Sequence, residues 1–418
     1  MTKFDNLIQE LCPDGVRYKS LGEVGLFFGG LTGKSKEDFV DGNAKFITYK
    51  NVYSNPALRI DVDDKVKISA DEKQNLLQYG DVIFTGSSET LEECGLSSVV
   101  TTETNEKMYL NSFCFFLRFN DGDLFLPDFS KHLFRLSELR QQIKKTASGT
   151  TRFNVSKEKM KKVVIPVPPL PVQREIVRIL DNFTELTAEL TAELTARKQQ
   201  YAYYRDKLLT FENFTEWRTL DDVIVSLNTG LNPRQFFKLN PDDAHNYYVT
   251  IREIQNGTIV VSDKTDRIND DALRLCNNRS NLEVGDVLFS GTGTIGETAV
   301  ISEPPTNWNI KEGIYVIKPR KEVLHSRYLM YILRTDALRS AIFKKVAGGT
   351  VKSIPMAEMR NLRVPVPSLK IQKCLVEVLD NFDAICTDLS SGLPAEIEAR
   401  QKQYEYYRDK LLSFEEKI

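Results

Sequence analysis

Residues able to do chemistry are present in this chain, but their spacing assembles no reaction. The stretch GGLTGKS at 29–35 resembles a phosphate-binding loop, in which glycine amides cradle a phosphate ahead of a Gly-Lys-Ser step. That spacing requires glycine where Phe28 stands, and the duplicated stretch NTGLNPR at 228–234 has no Gly-Lys at all. Nucleotide hydrolysis is not expected. GTGTIG at 291–296 fits G-x-G-x-x-G after a strand-like run, yet it leads into ETAVIS, which reads as strand where a dinucleotide fold needs a helix N-terminus. SEPPTNW at 302–308 has the Pro-Pro turn of DNA amino-methyltransferases, but Thr306 stands where an aromatic ring should stack on a flipped base. His132, His245 and His325 lie far apart, outside any serine or cysteine triad. Cys12, Cys94, Cys114, Cys276, Cys374 and Cys386 form no C-x-x-C pair beside a histidine and read as reduced, buried thiols. Neither a catalytic residue nor a metal or cofactor site is expected.

The chain has 418 residues, 41% hydrophobic and 27% charged, with a formal net charge of −2. Such a length implies two or three domains, and the balance is that of a globular protein rather than a disordered one. Its start, MTKFDNLIQELCPDG, lacks a basic segment followed by an apolar run, and no window approaches 18 uninterrupted apolar residues. A cytoplasmic protein without membrane contact is expected.

The elements that would position any site come in duplicate. GTTRFNVSKEKMKKVVIPVPPLPVQREIVRILDNF (149–183) matches GTVKSIPMAEMRNLRVPVPSLKIQKCLVEVLDNF (349–382), pairing Gln173 with Gln372. RKQQYAYYRDKLLTF (197–211) matches RQKQYEYYRDKLLSF (400–414), YKSLGEV (18–24) matches WRTLDDV (217–223), and GDVIFTGS (80–87) matches GDVLFSGT (285–292). FDNLIQELCPDG precedes the first half as DKLLTFENFTE precedes the second, so the repeat is expected to close on itself. Within each half, KFITYKNV, DVIFTG and NSFCFFLRF, then YYVTIREI, GTIVV, DVLFSG and GIYVIKP, read as strands. DFSKHLFRLSELRQQIKKTA and SRYLMYILRTDALRSAIFKKVA read as helical. After Pro171 an apolar stripe runs through Ile176, Ile179, Phe183, Leu186, Leu190, Leu194, Tyr201, Tyr204, Leu208 and Phe211, predicting a helix about 60 Å long. Its duplicate at 371–414 is expected to break at Gly392-Leu393-Pro394. Tyr201, Tyr204, Tyr404 and Tyr407 are expected in the seam, with Arg197, Lys198 and Arg205 on a solvated or partner-facing flank.

The order of domain, long helix, domain, long helix, with IPVPPLPVQREIVRILDNF, RKQQYAYYRDKLL and the TAEL repeats at 187–194, resembles the specificity subunit of type I restriction–modification systems over essentially the whole chain. The resemblance implies an α+β fold in which two target-recognition domains with small curved sheets are joined by two long helices pairing as an antiparallel coiled coil. Its domains would be 1–150 and 213–350 for recognition, and 151–212 and 351–418 for the helical regions. It also implies a non-catalytic subunit that reads a bipartite, asymmetric site in double-stranded DNA and docks two methyltransferase subunits, joined by restriction and motor subunits. In that family repeats such as Thr187 to Leu190 and Thr191 to Leu194 act as spacers. Physics alone leaves a coiled-coil adaptor without DNA readout as the alternative.

A net charge of −2 is unusual for a DNA reader, so cationic residues must be locally concentrated. Phosphate contacts position a reader irrespective of sequence, whereas base contacts differ between half-sites. Basic residues kept at matched positions are therefore the candidates for backbone contact: Lys34 with Arg234, Lys50 with Arg252, and Arg152 with Lys352. The divergent loops GSSETLEECG and GTGTIGE are the candidates for base readout, through Ser87, Ser88, Thr292 and Thr294.

Overall fold

The computed structural model describes residues 2–211, 215–349, 351–387 and 392–417, excluding the side chains of Arg234 and Gln235. The chain divides into two compact units, one of residues 1–189 and 397–418, the other of residues 190–396. Each unit repeats one plan. In the first, a four-stranded antiparallel sheet runs in the order 25–29, 114–119, 82–85 and 97–99. Beside it strands 65–66, 44–47 and 108–110 pair, the last two in parallel. In the second unit the matching sheets are 224–229, 314–319, 287–290 and 298–300, and 267–268, 246–249 and 308–310, again with one parallel pair. Val82–Thr85 and Val287–Ser290 are buried at every residue, which is why both read as unbroken apolar runs rather than alternating ones.

Several expected elements are shorter than their sequence pattern suggested. KFITYKNV is strand only to Ile47. The Thr48 hydroxyl then accepts from the Asn51 amide and starts a helix at Tyr49–Ser54, while Thr250 does the same for a 3-10 turn at Ile251–Glu253. Of GTIVV only Thr258–Ile259 is strand. Each expected single helix after the sheets is a pair: Pro127–Leu133 with Ser137–Lys144, and Ser326–Leu333 with Asp336–Phe343. Five of the six cysteines are buried as expected, but Cys374 is exposed. Among the described residues no helix is long and apolar enough to cross a membrane.

The long helix α1 spans Leu170–Leu208, 39 residues. Its duplicate consists of two helices, α2 (Leu369–Thr387) and α3 (Leu393–Leu412). Pro394 lies in the first turn of α3, where its missing amide hydrogen has no intrahelical partner to lose. Residues 388–391 of the expected break lie outside the described residues. In the first unit Val172, Ile176 and Leu180 of α1 share a core with Tyr404, Leu411 and Leu412 of α3, and the Phe183 ring stacks on Tyr407 at 5.2 Å. In the second unit Leu209, just beyond α1, shares a core with Val376 and Leu379 of α2, and Tyr204 stacks on Phe382 at 6.2 Å. The start of one helix meets the end of the other, so the coiled coil is antiparallel.

Polar contacts explain what the duplicated letters do. Gln173 is fully buried at the foot of α1; its oxygen accepts from the Leu126 amide, and its nitrogen donates to the Leu124 and Pro168 carbonyls. Gln372 repeats all three bonds with the His325 amide and the Val323 and Pro367 carbonyls. In the Tyr-Arg-Asp ending, Asp409 accepts from the Ser137 amide and Asp206 from the Asp336 amide, each at the first turn of the second helix of a pair. Thus the ending of each repeat's helix caps a helix in the domain of the other repeat. The expected closure is also present: the Val16 amide donates to the Glu415 carbonyl, the Lys417 amide donates to the Val16 carbonyl, and the Tyr18 hydroxyl donates to the Phe414 carbonyl.

One polar network differs between the units. His132 lies between Asp181 (2.8 Å from Nε2) and the Tyr404 hydroxyl (2.9 Å from Nδ1), and Lys131 also pairs with Asp181. In the second unit the hydroxyl of Tyr331 donates to Asp380, and Arg327 pairs with the same carboxylate. Burial lowers the His132 pKa against the opposing pull of Asp181. The neutral ring then donates from Nε2 to Asp181 and accepts from Tyr404 at Nδ1, the tautomer this network assigns. A histidine with a depressed folded pKa contributes stability that is complete above its unfolded pKa of about 6.5 and is lost as the pH falls toward the folded value. Denaturant midpoints should therefore fall as the pH drops below about 6.5. His132→Gln should flatten that slope while costing roughly 1–2 kcal/mol at neutral pH.

Candidate nucleic-acid interface

Four of the sequence-selected residues meet in the first unit. Ser87 and Ser88 form a two-residue strand that pairs with Asn154 and Phe153, which brings the turn after Gly149-Thr150 alongside the loop that follows Thr85. There the Arg152 guanidinium donates to the Ser87 hydroxyl at 3.1 Å and lies over the Phe113 ring at 5.0 Å. The Thr48 cap turns the chain so that Tyr49, Lys50 and Tyr53 face the same space. Together these groups line a cleft of about 800 Å³, to which Glu89 and Glu93 also contribute. Lys50 is exposed and makes no ion pair or hydrogen bond among the described residues, so its charge is available to an anion. Tyr49 and Tyr53 stack at 6.2 Å, and the Tyr49 hydroxyl donates to the Ser87 carbonyl. Burial raises the Tyr49 pKa, so this phenol stays neutral.

Cations beside exposed aromatic faces suit nucleic acid, because phosphates take the charge while bases take the rings and polar edges. Tyr49, Tyr53 and Phe113 were not singled out in the sequence. The spacing of two tyrosines at i and i+4 around Lys50, in YKNVY, was the signal for the first two. Phe113, 53% exposed within NSFCFF, carried none.

Lys34 is placed differently. Its ammonium pairs with Glu72 at 2.6 Å and donates to the Lys67 carbonyl, leaving the side chain 8% exposed. It braces its own loop instead of facing outward. The side chain of Arg234, its match, lies outside the described residues.

The second unit does not gather its candidates in the same way. Thr292 lines a cavity of about 780 Å³ with Asn232, Arg279, Lys311 and Glu312, while Arg252, Thr294 and Lys352 stand outside that lining. Arg252 is 59% exposed and pairs with Asp266 at 3.2 Å. It occupies the station of Lys50, two residues after a capping threonine. Arg152 and Lys352 are not equivalent, contrary to the sequence match. Asn154 pairs with Ser148 and Ser87, and Ser353 pairs with Ala347 and Thr292, so the two turns are equally long but stand one residue out of the Gly-Thr alignment. Ser353 then pairs with Thr292, and the Lys352 carbonyl accepts from the Gly293 amide, so Lys352 takes the place of Phe153.

In the TAEL repeats Thr187, Leu190 and Leu194 lie half-buried along one stripe of α1, and Thr191 is exposed. The Thr187 hydroxyl donates back to the Phe183 carbonyl. Among the described residues no group of three or more His, Cys, Asp or Glu side chains is arranged to hold a metal.

The loop bearing Ser87 and Ser88 is held from beneath. Arg140, 8% exposed, donates to the main-chain carbonyls of Glu92, Cys94 and Gly95. Burial, with Arg135 nearby, pulls its pKa down to about 10, so it remains charged at neutral pH. Gly95 closes the loop at φ +63°, as Gly296 does at φ +104° in the second unit, a backbone region that favours glycine.

A family model described as the type I restriction modification DNA specificity domain matches the chain twice, over residues 13–197 and 215–399. A type I restriction enzyme specificity subunit from Escherichia coli is 36% identical over 275 residues, spanning 62% of this chain and 65% of that relative. A putative type I restriction enzyme specificity subunit from Haemophilus influenzae is 31% identical over 277 residues, spanning 64% of this chain and 68% of its own length. A solved chain from work on complex assembly and conformational transition of the type I restriction–modification system superposes with a TM-score of 0.63 at 18% identity, covering 96% of this chain and 98% of that one. At that identity the likeness is one of fold.

Replacing Arg140 by Leu would leave three buried carbonyls without a donor. We expect a loss of about 2–4 kcal/mol in stability. Hydrogen exchange should quicken most over residues 86–96, and uniform quickening across the first unit would show that Arg140 serves the whole core.

Proposed function

The chain belongs to the type I restriction–modification DNA specificity family, and we propose on that footing that it is the non-catalytic, DNA-reading subunit of such a system in the cytoplasm. Residues 1–150 and 213–350 each read one half of a bipartite, asymmetric site in double-stranded DNA. The helical regions 151–212 and 351–418 set the distance between them and dock two methyltransferase subunits, with restriction and motor subunits joining. The observation that carries this reading is the cleft of the first unit, where Lys50, Arg152, Ser87 and Ser88 converge beside Tyr53 and Phe113. Lys50 and Arg252 are assigned to phosphates, with Arg234 and Lys352 as further basic contacts. Arg152, Ser87 and Ser88 are assigned to the cleft that meets base edges, and Thr292 and Thr294 to the second reader. Lys34 supports the first reader indirectly, through its ion pair with Glu72.

The repeated helix endings supply a surface for two copies of one partner. Tyr203 is 61% exposed and Tyr204 38%, with the Lys207 ammonium 5.9 Å from the Tyr203 ring centre. Tyr406 and Tyr407 repeat this at 61% and 39%, with Lys410 at 6.0 Å from Tyr406. Aromatic rings beside cations are the anchors that protein interfaces favour.

A duplex-binding titration against salt tests DNA reading directly. Log affinity should fall linearly with log salt, whereas a coiled-coil adaptor would not bind. Lys50→Ala should weaken specific and nonspecific duplexes by a similar factor and reduce the slope by about one. A change in the methylated sequence with the slope intact would instead make Lys50 a base reader.

The spacer gives a second test. Four helical residues advance about 6 Å and rotate about 400°, a net 40°. One base pair advances about 3.4 Å and rotates about 34–36°, so the rotations nearly agree, and an inclined helix pair absorbs part of the excess rise. Deleting residues 191–194 should shorten the unread gap by one base pair and leave both half-sites unchanged, as read by methylome sequencing. An unchanged gap refutes the spacer role.

A further inference from the structure

The loop between the second and third strands to appear in each four-stranded sheet is four residues longer in the first unit (86–96, eleven residues, against 291–297, seven). The extra residues carry Glu89, Glu92 and Glu93, the last two consecutive. Glu92 pairs outward with Lys144. Glu93 turns the other way, into the cleft that holds Lys50 and Arg152. The Tyr53 hydroxyl donates to its Oε1 at 2.7 Å, and among the described residues Oε2 has no donor.

A carboxylate in such a cleft is costly for a surface that approaches phosphates, because it repels them. Glu93 is not needed to shape the loop. Arg140 holds it through the Glu92, Cys94 and Gly95 carbonyls, and the Thr85 hydroxyl donates to the Glu93 carbonyl, all without the Glu93 side chain. A carboxylate that only accepts fits a base edge offering a donor with no acceptor beside it on the same base. In the major groove that edge is cytosine, whose N4 amine donates; adenine places its N7 acceptor next to its amine and suits an amide side chain better.

We propose that Glu93 is a specificity-determining residue, which requires cytosine at one position of the half-site read by the first unit by accepting from the N4 amine while Tyr53 fixes its carboxylate. This rests on the reading of the cleft as a DNA interface. Arg152, in the same cleft, is placed to take the guanine O6 and N7 of that or an adjoining pair. The second unit, with the shorter loop, has no counterpart and selects its bases by other groups.

The test uses the full complex with its methyltransferase subunits and S-adenosylmethionine, offered a duplex library randomised across both half-sites. The wild-type motif should contain a required G·C pair in one half-site. Glu93→Gln, nearly isosteric, should reduce discrimination at that single position by roughly ten- to a hundredfold and leave every other position unchanged. Tyr53→Phe should relax the same position by less. A wild-type motif without any required G·C pair, an unchanged motif in Glu93→Gln, or a uniform loss of methylation across all sequences overturns the proposal. Lys50→Ala separates this failure from that of the underlying reading. If its salt slope falls while Glu93→Gln leaves the motif unchanged, only the role of Glu93 is lost; if the slope also stays unchanged, the cleft is not the DNA interface.

Discussion

A buried carboxamide governs how this molecule is put together. Gln173 and Gln372 sit where a proline-rich strand turns into a long helix, and each bonds the carbonyl of the proline five residues before it and two main-chain groups of the neighbouring domain. Glutamate could not donate, and leucine would leave an amide and two carbonyls buried without partners, at about 1–3 kcal/mol each. Because those partners belong to the segments that run into Pro127–Leu133 and Ser326–Leu333, the direction in which each helix leaves its domain is fixed at its base. A spacer has meaning only on such a footing, since a helix free to swivel would convert no change of length into a defined displacement.

What the two repeats preserve and what they let drift follow from this division of labour. The glutamines, the aspartates that cap Ser137 and Asp336, and the rings of Phe183 and Phe382 against Tyr407 and Tyr204 recur with nearly the same geometry. The clefts do not recur. Ser87 and Ser88 face Arg152 and Phe113, whereas Thr292 faces Asn232, Arg279 and Lys311. A scaffold under common constraint carries two clefts with different linings.

The scaffold was largely legible in the sequence because its signals are local and periodic. The apolar stripe of α1, the Gly-Leu-Pro interruption before α3 and the duplicated Gln and Tyr-Arg-Asp letters need no tertiary knowledge to be seen. The cleft was only half legible. Lys34 was selected as a matched cation, but its partner Glu72 lies far along the chain, and only the fold brings the two together. Arg152 and Lys352 align by letter, yet strand pairing sets the second hairpin one residue out of that alignment and separates their roles. The strand pattern of KFITYKNV was overridden by one threonine, whose hydroxyl satisfies an amide and starts a helix after Ile47. Tyr53 and Glu93, 40 residues apart, become a pair only through sheet pairing.

Arg140 reaches the reading loop through carbonyl oxygens, and a carbonyl is the same atom whatever residue bears it. The loop's course is therefore insured against changes in its own side chains. Residues between Ser88 and Cys94 can be exchanged without disturbing the donor that holds them or the core beneath. Such indifference is a source of evolvability: novelty at the tip, with inheritance of everything below it.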